Sequence, residues 1–72
     1  MNFEYEIWKV DTGIHKIYID KKSVLNGLMK VLEVERPSAT YLKKGKPVGW
    51  DLWIPQGKLM KVKQLLKEYK KR

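Results

Sequence analysis

The amino-acid sequence predicts an α+β domain with the element order ββαββα, in which four mainly antiparallel strands form one sheet and two helices pack on one face. Three observations lead to this prediction. Apolar and polar residues alternate in four short segments, as is typical of strands. Apolar residues recur every three to four positions in two longer segments, as is typical of helices. Sequences rich in glycine, proline and aspartate separate the segments.

The first two segments predict a β-hairpin. Residues 2–10 and 14–19 alternate, and Asp11-Thr12-Gly13 between them is typical of a turn. We expect Val10 to pair with Ile14 across this turn. The other cross-strand pairs expected from that register are Tyr5–Ile19, Glu6–Tyr18, Ile7–Ile17 and Trp8–Lys16.

The next segment predicts a helix that extends to about residue 34. Its apolar side chains at helical spacing are Val24, Leu25, Leu28, Met29, Val31 and Leu32. We expect Asp20 to cap its first turn, and the Glu35-Arg36-Pro37-Ser38 sequence to end it. Because a glycine within a helix costs about 1 kcal/mol relative to alanine, Gly27 predicts close packing of another element against the helix backbone.

Residues 39–44 and 49–54 predict a second hairpin, with its turn in the region Gly45-Lys46-Pro47-Val48. Alternation in the last strand assigns its two tryptophans to opposite faces of the sheet. Trp50 is expected in the core with Leu52 and Ile54, whereas Trp53 is expected on the other face with Asp51.

Residues 57–71 predict the last helix, with Pro55 at its beginning because proline has no amide hydrogen to leave unpaired. Its expected buried side chains are Leu59, Val62, Leu65, Leu66 and Tyr69. Its lysines on or near the opposite side are Lys61, Lys63, Lys67, Lys70 and Lys71.

All 72 residues are expected to form one small domain, with residues 1–36 and 37–72 as an architectural repeat. The halves match at an offset of 35 residues, although they share few identities. The matched segments are Ile17-Tyr18-Ile19 with Leu52-Trp53-Ile54, and Val24-Leu25 with Leu59-Met60.

Two helices of this length cover only one face of a four-stranded sheet, so the sequence predicts an uncovered face with aromatic side chains. The residues assigned to that face are Trp8, Lys16, Tyr18, Tyr41, Lys43 and Trp53. Aromatic and lysine side chains on a sheet stack on bases and contact phosphates, which indicates single-stranded nucleic acid as a ligand. A one-residue slip of register would bury these side chains instead, the face would also suit a homodimer interface, and tyrosine and tryptophan favour strands in any case.

The charge of the chain is concentrated in its second half. Residues 1–36 contain six basic and six acidic side chains, whereas residues 37–72 contain ten basic and two acidic ones, which accounts for the net charge of +8. This asymmetry favours a polyanionic partner, and simple solubility explains it equally well. The lysines added to the candidate nucleic-acid-binding residues are Lys44, Lys46, Lys61, Lys63, Lys67, Lys70 and Lys71.

DNA and RNA, and single and double strands, remain alternatives at this point. A second hypothesis is a protein-interaction module, which acts as a homodimer or as an inhibitor or adaptor that binds an acidic protein. A membrane surface is a poor match for the basic last helix, because its only aromatic residue is one tyrosine.

The sequence does not indicate an enzyme. It contains no cysteine and one histidine, His15, so it predicts no metal site. His15 as the general base of a small ribonuclease is a minor alternative. The Gly45-Lys46-Pro47 sequence lacks the spacing and the Ser or Thr of a nucleotide-binding P-loop. We therefore expect no cofactor and no small-molecule substrate, and the absence of a long apolar segment or signal peptide predicts a cytoplasmic protein.

Overall fold

The computed structural model describes residues 2–71 and has the predicted order ββαββα. The strands are β1 (Tyr5–Asp11), β2 (Ile14–Ile19), β3 (Ala39–Lys43) and β4 (Lys46–Ile54). The helices are α1 (Lys22–Leu32) and α2 (Leu59–Lys71). All neighbouring strands are antiparallel, and the spatial order in the single sheet is β1-β2-β4-β3.

The core lies between the sheet and the two helices. Its fully or nearly fully buried side chains are Phe3, Ile17, Ile19, Val24, Leu25, Leu28, Leu32, Trp50, Leu52, Ile54, Val62 and Leu66. These residues include Ile17, Trp50, Leu52 and Ile54 of the strands, whereas Ile7 of β1 and Leu59, Leu65 and Tyr69 of α2 are partly buried and pack at the edge of the cluster. The α+β fold with one helix-covered face is therefore confirmed.

The first hairpin has the predicted register except next to the turn. The four expected pairs from Tyr5–Ile19 to Trp8–Lys16 are present. The predicted pair of Val10 with Ile14 is wrong, because Asp11 lies opposite Ile14 and the register shifts between Lys9 and Asp11. This β-bulge leaves one extra residue in β1, and the tight Thr12-Gly13 turn follows.

The second hairpin turns earlier than the sequence predicts. Its turn residues are Lys44 and Gly45, both with positive φ (52° and 78°), as two-residue hairpin turns with a matching twist require. Lys46 therefore already belongs to β4 and lies opposite Lys43. Pro47 is tolerated in this strand because β2 pairs with β4 only from Trp50 onwards.

The two central strands are related by an approximate twofold axis. Ile17 lies directly opposite Leu52, and these are the residues matched at the offset of 35. The offset of 35 also relates Lys16 to Asp51 and Tyr18 to Trp53. It therefore converts the cross-strand pair Lys16–Trp53 into the pair Asp51–Tyr18. Every antiparallel pair of strands has a local twofold relation of this kind, so the repeat of residues 1–36 and 37–72 stays a prediction.

The helices follow a different offset. The inward-facing residues Leu25, Leu28 and Leu32 of α1 correspond to Leu59, Val62 and Leu66 of α2 at a separation of 34. The predicted match of Leu25 with Met60 is wrong, because Met60 is 76% exposed whereas Leu25 is buried.

Three helix ends differ from prediction. Asp20 does not cap α1, since its carboxylate accepts a hydrogen bond of 2.8 Å from the amide of Glu4 in the neighbouring chain segment. The helix ends at Leu32, where Glu33 adopts the left-handed conformation and two cap hydrogen bonds close the last turn. Pro55 does not begin α2, because Gly57 has φ of 92° and the helix begins after it.

The helices contact each other closely at Gly27, as predicted. A Cβ atom at this position would overlap the hydroxyl of Tyr69 on α2, so the absence of a side chain makes room for that ring. Within residues 2–71, neither helix is long and apolar enough to cross a membrane.

Candidate nucleic-acid interface

The face of the sheet opposite the helices, here called the open face, contains the predicted aromatic residues. Trp8, Lys16 and Trp53 form one row across β1, β2 and β4. Tyr18 and Asp51 form the adjacent row, and Tyr41 of β3 lies one row further, opposite Gly49. Because these residues share one side of the strands, the structure brings together five of the predicted binding residues: Trp8, Lys16, Tyr18, Tyr41 and Trp53.

The tryptophans of β4 lie on opposite faces, as predicted. Trp50 is 9% exposed and belongs to the core, whereas Trp53 is 47% exposed. Trp8 and Tyr41 are also among the exposed large hydrophobic side chains. The open face therefore presents three aromatic side chains to solvent in separate places, with Tyr18 half-buried between them.

Lys16 occupies the centre of the open face. Its Nζ atom lies 4.5 Å from the centroid of the Trp53 ring and 3.8 Å from Oδ2 of Asp51. The approximate twofold axis relates Lys16 to Asp51 and Tyr18 to Trp53, so an ion pair stands at the axis with an aromatic ring on each side. Lys16 therefore orients Trp53 and balances a carboxylate, which reduces its availability for a phosphate.

Asp51 connects the side chains of the open face, a role that the sequence did not predict. Its side chain accepts a hydrogen bond of 2.6 Å from the Tyr41 hydroxyl, and the residue is only 3% exposed. Its backbone carbonyl accepts from both the amide and the hydroxyl of Ser38, at 2.8 and 3.0 Å. The second carboxylate oxygen, Oδ1, is buried and has no hydrogen-bond partner within residues 2–71. An aspartate inside a strand, where this residue type is disfavoured, was the available signal.

The bond to Asp51 also changes the acidity of Tyr41. The pKa of Tyr41 is raised above its ordinary value of 10.0, first by this hydrogen bond and further by partial desolvation and the nearby negative charge. The neutral hydroxyl therefore persists to higher pH than in an ordinary tyrosine.

Gly49 makes room for Tyr18. A Cβ atom at Gly49 would overlap the Tyr18 hydroxyl and ring, so the ring lies across the glycine. From there Tyr18 contacts Tyr41, with ring centroids 5.6 Å apart and an edge-to-face angle of 61°. A glycine in the interior of a strand often marks such a close approach, and this signal was also missed.

Three further predicted residues lie at one end of this surface. Lys43, Lys44 and Lys46, here called the hairpin-tip lysines, are exposed at the turn between β3 and β4. Lys43 follows Tyr41 by two residues in the same strand and so lies on the same side of it. The tip therefore borders the open face next to Tyr41.

The lysines of α2 lie away from the open face, because α2 packs on the other side of the sheet. Lys61, Lys63, Lys67 and Lys71 are exposed there. Lys70 has a contact within the fold: its ammonium donates to the carbonyl of Phe3 and lies 4.2 Å from the centroid of the Phe3 ring. It holds the segment before β1 against α2.

His15 lies on the helix side of β2, half-buried, between Lys9 and Ile54 in the two neighbouring strands. This position is on the opposite side of the sheet from the aromatic surface. A general base there would not act on a ligand that is stacked on the open face.

Comparison with protein-family models, curated proteins and solved structures finds no match for this chain. Its function is therefore inferred from the geometry of the open face.

Proposed function

We propose that this protein binds single-stranded nucleic acid through the open face, without catalysis. The observation that carries the proposal is the presence of three exposed aromatic side chains, Trp8, Tyr41 and Trp53, on one uncovered sheet face of a protein with net charge +8. Sheets with exposed aromatic residues are a recurrent platform for unpaired bases.

The aromatic side chains are spaced for separate bases. Trp8 and Trp53 lie in one row with β2 between them, which separates their strands by about 10 Å. Tyr41 stands at the opposite corner of the surface. Each base stacked on an aromatic ring contributes about 1–3 kcal/mol, and stacking of this kind is tolerant of sequence.

Phosphates would be contacted at the border of the open face rather than at its centre. Lys16 is already engaged by Asp51 and Trp53, whereas the exposed hairpin-tip lysines border Tyr41. The contribution of these lysines to affinity would be electrostatic and would decrease as the salt concentration rises. The proposal covers both DNA and RNA, and it includes a cytoplasmic location, where such ligands occur.

A second candidate function, a protein-interaction module, is favoured by one observation. The centre of the open face has no excess positive charge, because Lys16 is paired with Asp51 and Glu6 adds a second carboxylate in the row of Tyr18. An aromatic surface without excess positive charge suits packing of sheet on sheet, as in a homodimer. In that case the aromatic side chains would be covered by a second copy rather than by bases.

A fluorescence titration with an oligothymidylate of about 15 nucleotides tests the first candidate. We expect quenching of the exposed tryptophans, and Trp53→Ala should weaken binding about 5- to 150-fold, as the loss of one stacked base predicts. The matched control is Met60→Ala, which removes a large exposed apolar side chain on α2 and should leave affinity unchanged.

Two outcomes would decide against this proposal. If neither single-stranded nor duplex nucleic acid shifts any amide resonance at low salt, nucleic-acid binding is wrong. If light scattering finds a stable dimer in which Trp8 and Trp53 are protected from acrylamide quenching, the open face is an interface between copies. Trp50 is buried in either case and provides the reference for protection.

A further inference from the structure

A row of three lysines lies on the side of α2 that points away from the core. Lys63, Lys67 and Lys71 follow one another at intervals of four residues, and all three are exposed. Lys71 is nine residues after the buried Val62, about 2.5 turns, so it lies on the opposite side of the helix. We call these three residues the outer stripe.

The outer stripe works against the stability of the helix. Like charges four residues apart repel each other and cost a few tenths of a kcal/mol per pair. Within residues 2–71, none of the three lysines forms an ion pair with a carboxylate. Glu68, which is exposed beside Lys67 and three residues before Lys71, offsets part of this repulsion, and a polyanion bound along the helix would relieve the rest.

The outer stripe and the open face point in opposite directions. The sheet presents one face to the helices and the other to solvent, and α2 turns Val62 and Leu66 towards the sheet and the stripe away from it. The Cα atoms extend over only 35 × 28 × 20 Å, so the two surfaces lie on opposite sides of a thin domain. A ligand on one surface therefore leaves the other accessible.

We propose that the outer stripe binds the phosphate backbone of a nucleic-acid duplex, so that the domain holds a single strand on one side and a duplex on the other. The single-strand half of this inference rests on the proposed function. The lysines are about 6 Å apart along a rigid helix, which suits a regular array of phosphates. The only side-chain amide beside the outer stripe is Gln64, so contacts of this surface would be to the phosphate backbone and largely independent of sequence.

An anionic membrane fits the same surface less well. The exposed apolar side chain next to the outer stripe is Met60, and an interfacial helix usually buries a broader apolar face with aromatic residues. Vesicles that contain phosphatidylserine are therefore included in the test as a competing ligand.

The experiment compares two triple variants that lower the net charge equally. K63Q/K67Q/K71Q removes the outer stripe, and K9Q/K21Q/K22Q removes three exposed lysines of β1 and the start of α1. Three measurements are made on each: anisotropy of a labelled duplex, fluorescence titration with the oligothymidylate, and energy transfer between a labelled duplex and a labelled non-complementary single strand.

We expect the stripe variant to lose duplex affinity and energy transfer while it retains most single-strand affinity. For duplex binding by this variant, the slope of log K against log salt concentration should become less negative by about 2.7, which corresponds to three lost phosphate contacts. The control variant should retain energy transfer. Equal losses in both variants would overturn the inference, because net charge alone would then explain binding.

Failure of the two proposals can be told apart. If Trp53→Ala leaves single-strand affinity unchanged while the stripe variant loses the duplex, the open-face proposal is wrong and the duplex site stands. If the wild type binds the single strand but no energy transfer occurs between the labelled single strand and the labelled duplex, the bridging inference is wrong. Binding of the wild type to vesicles but not to duplex would also overturn it.

Discussion

The hydroxyl of Tyr41 donates a hydrogen bond of 2.6 Å to Oδ2 of Asp51, a carboxylate that is nearly fully buried at the centre of an aromatic sheet surface. Asp51 also forms an ion pair with the ammonium of Lys16, which in turn lies over the ring of Trp53. One buried charge thus connects an exposed tyrosine to an exposed tryptophan on different strands. The side chains of this surface are therefore held in place by polar contacts beneath them.

The first prediction concerns the acidity of Tyr41. The pKa of Tyr41 should lie above 10.0, because the hydrogen bond to Asp51 stabilises the protonated hydroxyl. The folded state then holds this proton more tightly than the unfolded state. The contribution of the Tyr41 hydroxyl to stability is complete at pH values below the pKa that Tyr41 has in the unfolded state. It is lost as the pH rises through the pKa of Tyr41 in the folded state, which is above 10.

An NMR titration of tyrosine labelled at Cζ measures this pKa, with the Tyr41 signal assigned by Tyr41→Phe. Asp51→Asn should lower the pKa of Tyr41 towards its ordinary value, because the negative acceptor is removed. A Tyr41 pKa at or below that of an unstructured tyrosine would contradict the hydrogen bond.

The second prediction compares the two tryptophans of β4. Trp50→Ala should lower the free energy of unfolding by about 3–5 kcal/mol, because it leaves a large cavity in the core. Trp53→Ala should cost about 1 kcal/mol, since it removes an exposed ring and its contact with Lys16. Urea denaturation followed by circular dichroism measures both, and similar costs at the two positions would show that the face assignment is wrong.

The third prediction concerns the contact between the helices. Gly27→Ala should lower the free energy of unfolding by about 1–2 kcal/mol, because overlap with Tyr69 outweighs the gain in helix propensity. Asn26→Ala, at an exposed neighbouring position, is the control and should be neutral or stabilising.

A double-mutant cycle with Tyr69→Phe identifies the cause. The cost of Gly27→Ala should decrease in the Tyr69→Phe background by at least 0.5 kcal/mol, because the overlapping hydroxyl oxygen is gone. Additive effects would mean that the hydroxyl does not limit the space at Gly27.

The fourth prediction concerns Lys70, which holds the segment before β1. Lys70→Met should lower the free energy of unfolding by about 1–2 kcal/mol, since it removes the hydrogen bond to the Phe3 carbonyl and the cation over the Phe3 ring. Lys67→Met, on the outer stripe, should change it by less than about 0.5 kcal/mol. Equal effects of the two substitutions would show that Lys70 has no stabilising contact with Phe3. Faster amide exchange at the start of β1 in Lys70→Met alone would support the role of Lys70 in holding this segment.

The strand faces could be read from the sequence because alternation with a period of two is a local signal with one buried side. It was enough to assign Trp50 and Trp53 to opposite faces and to predict four pairs of the first hairpin.

Polar partners could not be read in this way. Asp20 looked like a helix cap by its position, but its acceptor is used by the amide of Glu4, sixteen residues away. Lys70 looked like one more surface charge, but the fold brings it to Phe3, sixty-seven residues away. A side chain that satisfies a distant backbone group leaves no periodic trace in the sequence.

By itself, then, the sequence determined the order of elements, the faces of the strands and the location of the positive charge, since each depends on residue type and spacing alone. Only the tertiary structure decided that Asp51 is buried beneath Tyr41 and Lys16, that Gly49 makes room for Tyr18, and that Lys70 contacts Phe3. These relationships arise where strands and helices distant in the chain pack together, and packing selects among contacts that local patterns leave open.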